Sequence, residues 1–87
     1  MLRIERSANG EVLLTLSGRL SAENIVDLER VLKSEAKGRR IVLDLHDLTL
    51  VDRDGLRFLS RCEADSIKLK NCPGYIREWI DRERHVH

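Results

Sequence analysis

Net charge is what this 87-residue sequence has least of: 16 Lys and Arg stand against 15 Asp and Glu, leaving +1. Phosphate backbones are held by a net basic field, so nucleic acid is excluded as the main partner. No apolar run approaches the ~20 residues that span a bilayer, and no charged-then-apolar leader opens the chain. The expectation is a cytoplasmic protein, neither secreted nor membrane-inserted. Cysteine is scarce as well. Cys62 and Cys72 form no C-x-x-C unit and do not suggest a disulfide scaffold. His85 and His87 match no zinc spacing, and no glycine-rich phosphate loop is present, so no metal or other cofactor is expected. The single Pro and five Gly sit at element ends and leave no linker or repeat. Residues 1–87 therefore read as one domain.

What is present is an aliphatic core of modest size: 41% of the residues are hydrophobic, and a chain this short buries only about 60% of its unfolded surface. Leu2 and Ile4 alternate with charged neighbours, Asn9-Gly10 supplies a hairpin turn, and Val12, Leu14 and Leu16 alternate again up to Gly18. Ser21 is a candidate N-cap whose hydroxyl accepts from a first-turn amide, with Glu23 complementing the helix dipole. Ile25, Leu28 and Leu32, with Val31 and Ala36 beside them, form an apolar helical stripe closed by Gly38. Arg40 to Leu45 reads as a strand covered on both faces. After Leu48-Thr49-Leu50-Val51, Asp52 caps a second helix with Leu56, Phe58, Leu59 and Cys62 inside and Arg53, Arg57 and Arg61 outside. Ser66 to Lys70 alternates like a strand with one wet face. Pro73 opens a last helix whose apolar stripe is Tyr75, Ile76, Trp79 and Ile80, with Arg77, Glu78, Asp81 and Arg82 outside. Strand, strand, helix, strand, helix, strand, helix predicts an α/β fold: a mixed four-stranded sheet, an N-terminal hairpin followed by parallel right-handed crossovers, with about three covering helices.

The stretch Ile41-Val42-Leu43-Asp44-Leu45 through Val51-Asp52-Arg53-Asp54-Gly55-Leu56 resembles the core of the STAS domain, the sulphate-transporter and anti-sigma-factor-antagonist family. There a strand ending Asp-Leu leads through an apolar turn into Asp-Ser-Ser-Gly-Leu at a helix start. Leu16-Ser17-Gly18-Arg19-Leu20-Ser21 is similar to the family's element before its first helix. The resemblance implies a non-enzymatic protein-interaction module whose partner is an anti-sigma factor or serine-kinase-type protein. It implies a docking surface of Asp52, Arg53, Asp54, Gly55, Arg57 and Arg61, with Gly55 admitting a partner's backbone. The chain departs from the family at the phosphorylated serine, where it carries Asp54, and at the preceding serine, where it carries Arg53. A carboxylate supplies about one negative charge against roughly 1.5–2 for phosphoserine, so Asp54 is a fixed charge at the phosphosite-equivalent position. The family commonly adds a further strand and helix, so an uncovered edge or face here makes a homodimer a further expectation.

Blander readings attach to the same residues. Asp52 serves as a cap, Asp54 as a first-turn acid that complements the helix dipole and attracts Arg57, and the arginine stripe as a solvated face. Tyr75 and Trp79 read as core, Cys62 as a buried small hydrophobe, and His46 as a lone strand-end residue. Two other functions fit the sequence. One is the accessory STAS subunit of a phospholipid-transporting ABC system, docked on its ATPase. The other is an enzyme, since Asp52-Arg53-Asp54-Gly55 matches the D-x-D-G nucleophile motif of Mg²⁺-dependent phosphatases.

Overall fold

A computed structural model describes residues 2–35 and 40–85. The elements are β1 (Leu2–Asn9), β2 (Glu11–Leu20), α1 (Ala22–Glu35), β3 (Ile41–Val51), α2 (Arg53–Ala64), β4 (Lys68–Lys70) and α3 (Gly74–His85). They build one mixed sheet in the order β1-β2-β3-β4. β1 and β2 are antiparallel, with Ala8 opposite Val12 and Gly10 at φ +90° in the turn. β2, β3 and β4 run parallel, as helical crossovers between them require.

Alternation decides which side is dry. Val12, Leu14 and Leu16 of β2 and Ile41, Leu43 and Leu45 of β3 share one core with Leu28 and Leu32 of α1, Leu56, Phe58, Leu59 and Cys62 of α2, and Ile76 and Ile80 of α3. All three helices therefore cover the same face. Full burial of such a side chain contributes about 1.5–3 kcal/mol. The helix stripes read from spacing hold for these residues; Ala36 and Gly38 lie outside the described residues. Arg77 is turned inward from its expected outer position. It makes a two-pronged pair with Glu63 at 2.7 Å on each arm and reaches Asp81 at 3.0 Å, fastening α3 to α2.

Four expectations are corrected here. β3 is 11 residues long, runs past its expected end at Leu45 and absorbs the apolar segment Leu48 to Val51, where the family resemblance implies a turn. Two register shifts against β2, between Thr15 and Ser17 and between Gly18 and Arg19, let β3 carry extra residues without ending. Nor does β3 have helices on both faces. Val42 and Asp44 point away from the helical core, yet they are screened by flanking strands, in register with Leu13 and Thr15 on one side and Lys68 and Lys70 on the other. β4 shrinks to three residues because Ser66 takes φ +70° at the end of α2. Pro73 stands just ahead of α3, its carbonyl accepting from Arg77 N at 3.0 Å.

Candidate functional site

The site grows from the place where β2 and β3 end together. The backbone N–H of Asp52 donates to the carbonyl of Leu20 (3.1 Å), carrying the parallel ladder to the first residue before α2. Asp52 then turns its carboxylate on two helix starts at once. Oδ1 accepts from Gly55 N at 2.8 Å, the cap of α2, and Oδ2 accepts from Ala22 N at 3.2 Å, the first amide of α1. Two sets of orphan amides converge there, and one carboxylate serves both. The expected role of Ser21 changes accordingly. Its hydroxyl donates to Asn24 Oδ1 (3.1 Å), its own N–H donates to the same oxygen (3.2 Å), and the first-turn amide is left to Asp52.

Gly55 lies buried under this seam. A Cβ built on it would stand 2.8 Å from Val51 Cγ1 and 2.9 Å from the Leu20 carbonyl oxygen. The close approach that this glycine permits is therefore to the chain's own β2 end, which corrects the reading of Gly55 as a gap for a partner's backbone.

Around that seam Arg53, Asp54, Arg57 and Arg61 are all exposed. Asp54 sits in the first turn of α2 and, among the described residues, makes no ion pair or hydrogen bond. The pairing of Arg57 with Asp54 is not observed; Arg57 Nε instead reaches Glu83 of α3 at 3.4 Å. Asp54, Arg57 and Arg61 line a shallow groove of about 550 Å³ whose other wall is Ala22, Ile25 and Val26 of α1, with Ser60 and Glu83 completing it. Val26 is 62% exposed. This apolar wall escapes the sequence reading. Its signal is Val26 itself, a β-branched residue off the buried stripe of α1.

A second polar cluster lies on the helix-free side of the sheet. Asp44, only 8% exposed, accepts from His46 Nδ1 at 2.7 Å, from His46 N at 3.1 Å and from Asn71 Nδ2 at 3.3 Å. His46 Nε2 faces Asp47 at 3.1 Å. His46 is thus a paired residue inside β3. Burial pushes the Asp44 carboxyl up, but the bonds from His46 and Asn71 outweigh it and hold the group below its usual value. The hydrogen bond to Asp44, opposed by some desolvation and helped by the charges of Asp44 and Asp47, holds the His46 ring above its usual value. A raised folded-state histidine stabilises fully below the unfolded value near 6.5 and loses that contribution as pH climbs through the folded one. The Asp44 contribution is present at neutral pH and is lost as pH falls below the ordinary carboxylate range. The midpoint of thermal unfolding is accordingly expected to decline from pH 6 toward pH 9 in the wild type and to stay flatter over that window in His46→Gln. Parallel slopes for the two proteins would remove His46 from the account.

Cys62 is buried in the core, and burial, with the charge of Asp65 adding, pushes its thiol up to about 12, which makes it unreactive. The described residues contain no group of three or more His, Cys, Asp and Glu placed to hold a metal ion. Among the described residues no helix is long and apolar enough to cross a membrane.

No family model matches the sequence, and no curated protein matches it. Solved structures do. The anti-sigma factor antagonist SpoIIAA in its unphosphorylated form superposes over 99% of this chain and 100% of its own, with a TM-score of 0.59 and 19% identity. The chain has a STAS-like fold. An uncharacterized Shewanella loihica protein with a SpoIIAA-like fold matches over 98% of this chain and 76% of its own, with a TM-score of 0.55 and 15% identity. Mglu matches over 83% of this chain with a TM-score of 0.62 and 23% identity, and the match spans only 19% of Mglu. The STAS-like architecture thus agrees with the sheet, the hairpin and the three helices expected from the sequence.

Proposed function

We propose that this STAS-like domain is a non-enzymatic interaction module of the anti-sigma-factor-antagonist kind, acting in partner-switching signalling, with Asp54 as a fixed negative charge at the docking site. One observation carries the reading. Of the two acids at the start of α2, Asp52 is consumed by the two helix starts, while Asp54 is exposed, unpaired among the described residues, and set at the mouth of the α1–α2 groove. A carboxylate that serves no internal partner is available to an external one. Arg57 and Arg61 line the groove with it, and Val26 and Ile25 offer the apolar contact that charged rims need at their centre; Arg53 lies instead beside Leu56, Trp79, Arg82 and Glu83. The partner this surface fits is an anti-sigma factor of the serine-kinase type. In the phosphatase alternative Asp52 would be the nucleophile; in this structure its carboxylate is the shared cap of two helices.

The test uses the whole chain as bait in native lysate beside an Asp54→Ser bait, with bound proteins identified by mass spectrometry. A serine-kinase-type anti-sigma factor is expected on one or both baits, and phosphate from that kinase and ATP is expected only on the Asp54→Ser chain. Phosphate on Ser60 of the wild type would remove Asp54 from its role. Recovery of a transporter ATPase alone would replace the reading with the ABC accessory subunit.

A further inference from the structure

Aromatic residues are rare here, one Phe, one Tyr and one Trp, and two of the three are on the surface together. Tyr75 is 46% exposed and Trp79 48% exposed, which corrects their reading as core: Ile76 and Ile80 fill the core side of α3, and the aromatics flank it. Their rings meet edge to face at a centroid separation of 6.4 Å and an interplanar angle of 87°. Tyr75 is anchored by its hydroxyl, which donates to the carbonyl of Thr49 at 3.3 Å. The indole N–H of Trp79 has no protein acceptor among the described residues. Large rigid aromatics held half out of the surface are the side chains that anchor interfaces, and a Trp N–H in such a place usually finds a partner.

The occupant follows from the charges beside them. Positions 75, 78, 79 and 82 fall on one face of a helix, and on α3 they read Tyr75, Glu78, Trp79, Arg82, with Arg82 and Glu78 paired at 3.0 Å. The stripe has one acid and one base, and Arg53 and Glu83, which line a shallow pocket with Trp79 and Arg82, add one of each, so it exerts no net pull on an acidic or a basic partner. Reversed, it is complementary to itself. In an antiparallel contact about a two-fold axis, Tyr75 of one copy comes opposite Arg82 of the other, and Trp79 opposite Glu78. Arg stacks on an aromatic face, and a carboxylate accepts from an indole N–H. We infer that the α3 stripe Tyr75-Glu78-Trp79-Arg82 is a homodimer interface, in which each copy's Glu78 receives the other's Trp79 N–H and each Arg82 covers the other's Tyr75. The stripe adjoins Arg53 and Leu56 of α2, but the inference does not depend on the docking role of α2.

Trp79 is the only tryptophan, so the protein carries its own probe. Sedimentation velocity on the full chain from about 1 to about 200 µM, a range in which a small transient interface is populated, is expected to show the mass double from 10.1 kDa. Over the same concentrations the Trp79 emission is expected to shift to the blue and its quenching by acrylamide to fall, with one shared midpoint. Glu78→Arg keeps the fluorophore and is expected to stay monomeric with an exposed Trp. Glu78→Gln, whose side-chain oxygen still accepts from the partner's indole N–H, is expected to keep the dimer. A monomer at every concentration would overturn the inference. A dimer whose Trp79 remains as quenchable as in the monomer would overturn it equally, by placing the contact elsewhere.

Discussion

Gly55→Ala is expected to lower the unfolding midpoint by about 10–20 °C, a loss of roughly 2–3 kcal/mol in a domain of this size. In an ordinary helix the same change stabilises by up to about 1 kcal/mol, since Ala is the better helix former. The sign reverses here because of what the new methyl meets. The Leu20 carbonyl, 2.9 Å away, is backbone and is held in place by the Asp52 N–H, and Val51 Cγ1, 2.8 Å away, belongs to a buried side chain. Neither can give way without opening the junction of β2 with α2. Thermal melts followed by far-UV circular dichroism decide the matter, and an unchanged or raised midpoint would show that α2 does not close onto Leu20.

Asp52→Ala comes next, with an expected loss of about 2 kcal/mol in urea denaturation, at the upper end of N-cap deletions. The excess arises because two amides are orphaned: Gly55 N in α2 and Ala22 N in α1, thirty positions away along the chain. Asp52→Asn keeps one side-chain oxygen as an acceptor and is expected to recover about half of that loss. The distinguishing readout is amide hydrogen exchange. In Asp52→Ala the Ala22 amide is expected to exchange faster together with that of Gly55. An Ala22 amide that keeps its wild-type rate would reduce Asp52 to an ordinary cap of a single helix.

The residues that were legible from the sequence are those whose role is set by near neighbours. Val12, Leu14 and Leu16 alternate, Leu28 and Leu32 recur one turn apart, and Asp52 precedes an apolar-periodic run; each pattern points to one local geometry, and each is found. Legibility fails where a distant residue decides. That Asp52 also serves α1 depends on the parallel ladder bringing Leu20 beside it. That Gly55 faces inward depends on the same contact. The length of β3 is hidden because the extra residues at its two register shifts lie in a stretch of β3 without Gly or Pro, and the one glycine at a shift, Gly18 with φ +93°, is on the partner strand. Periodicity places Tyr75, Ile76, Trp79 and Ile80 on one side of α3, but a helix that packs along α2 and the sheet buries only the 76–80 ridge, and spacing alone does not say which flank stays wet. At the candidate site, the exposure of Asp54 and the arginines is legible in the sequence, whereas the α1 wall of the groove needs the fold.

The seam between β2 and α2 also sets how freely this surface can diverge. Leu20, Asp52 and Gly55 are locked to one another through two carboxylate oxygens, a carbonyl and a missing methyl. Between them stand two letters, Arg53 and Asp54, whose side chains are exposed and carry none of that seam. A lineage built on this scaffold can rewrite those two positions at almost no cost in folding, and change what the surface recognises while the architecture beneath stays the same.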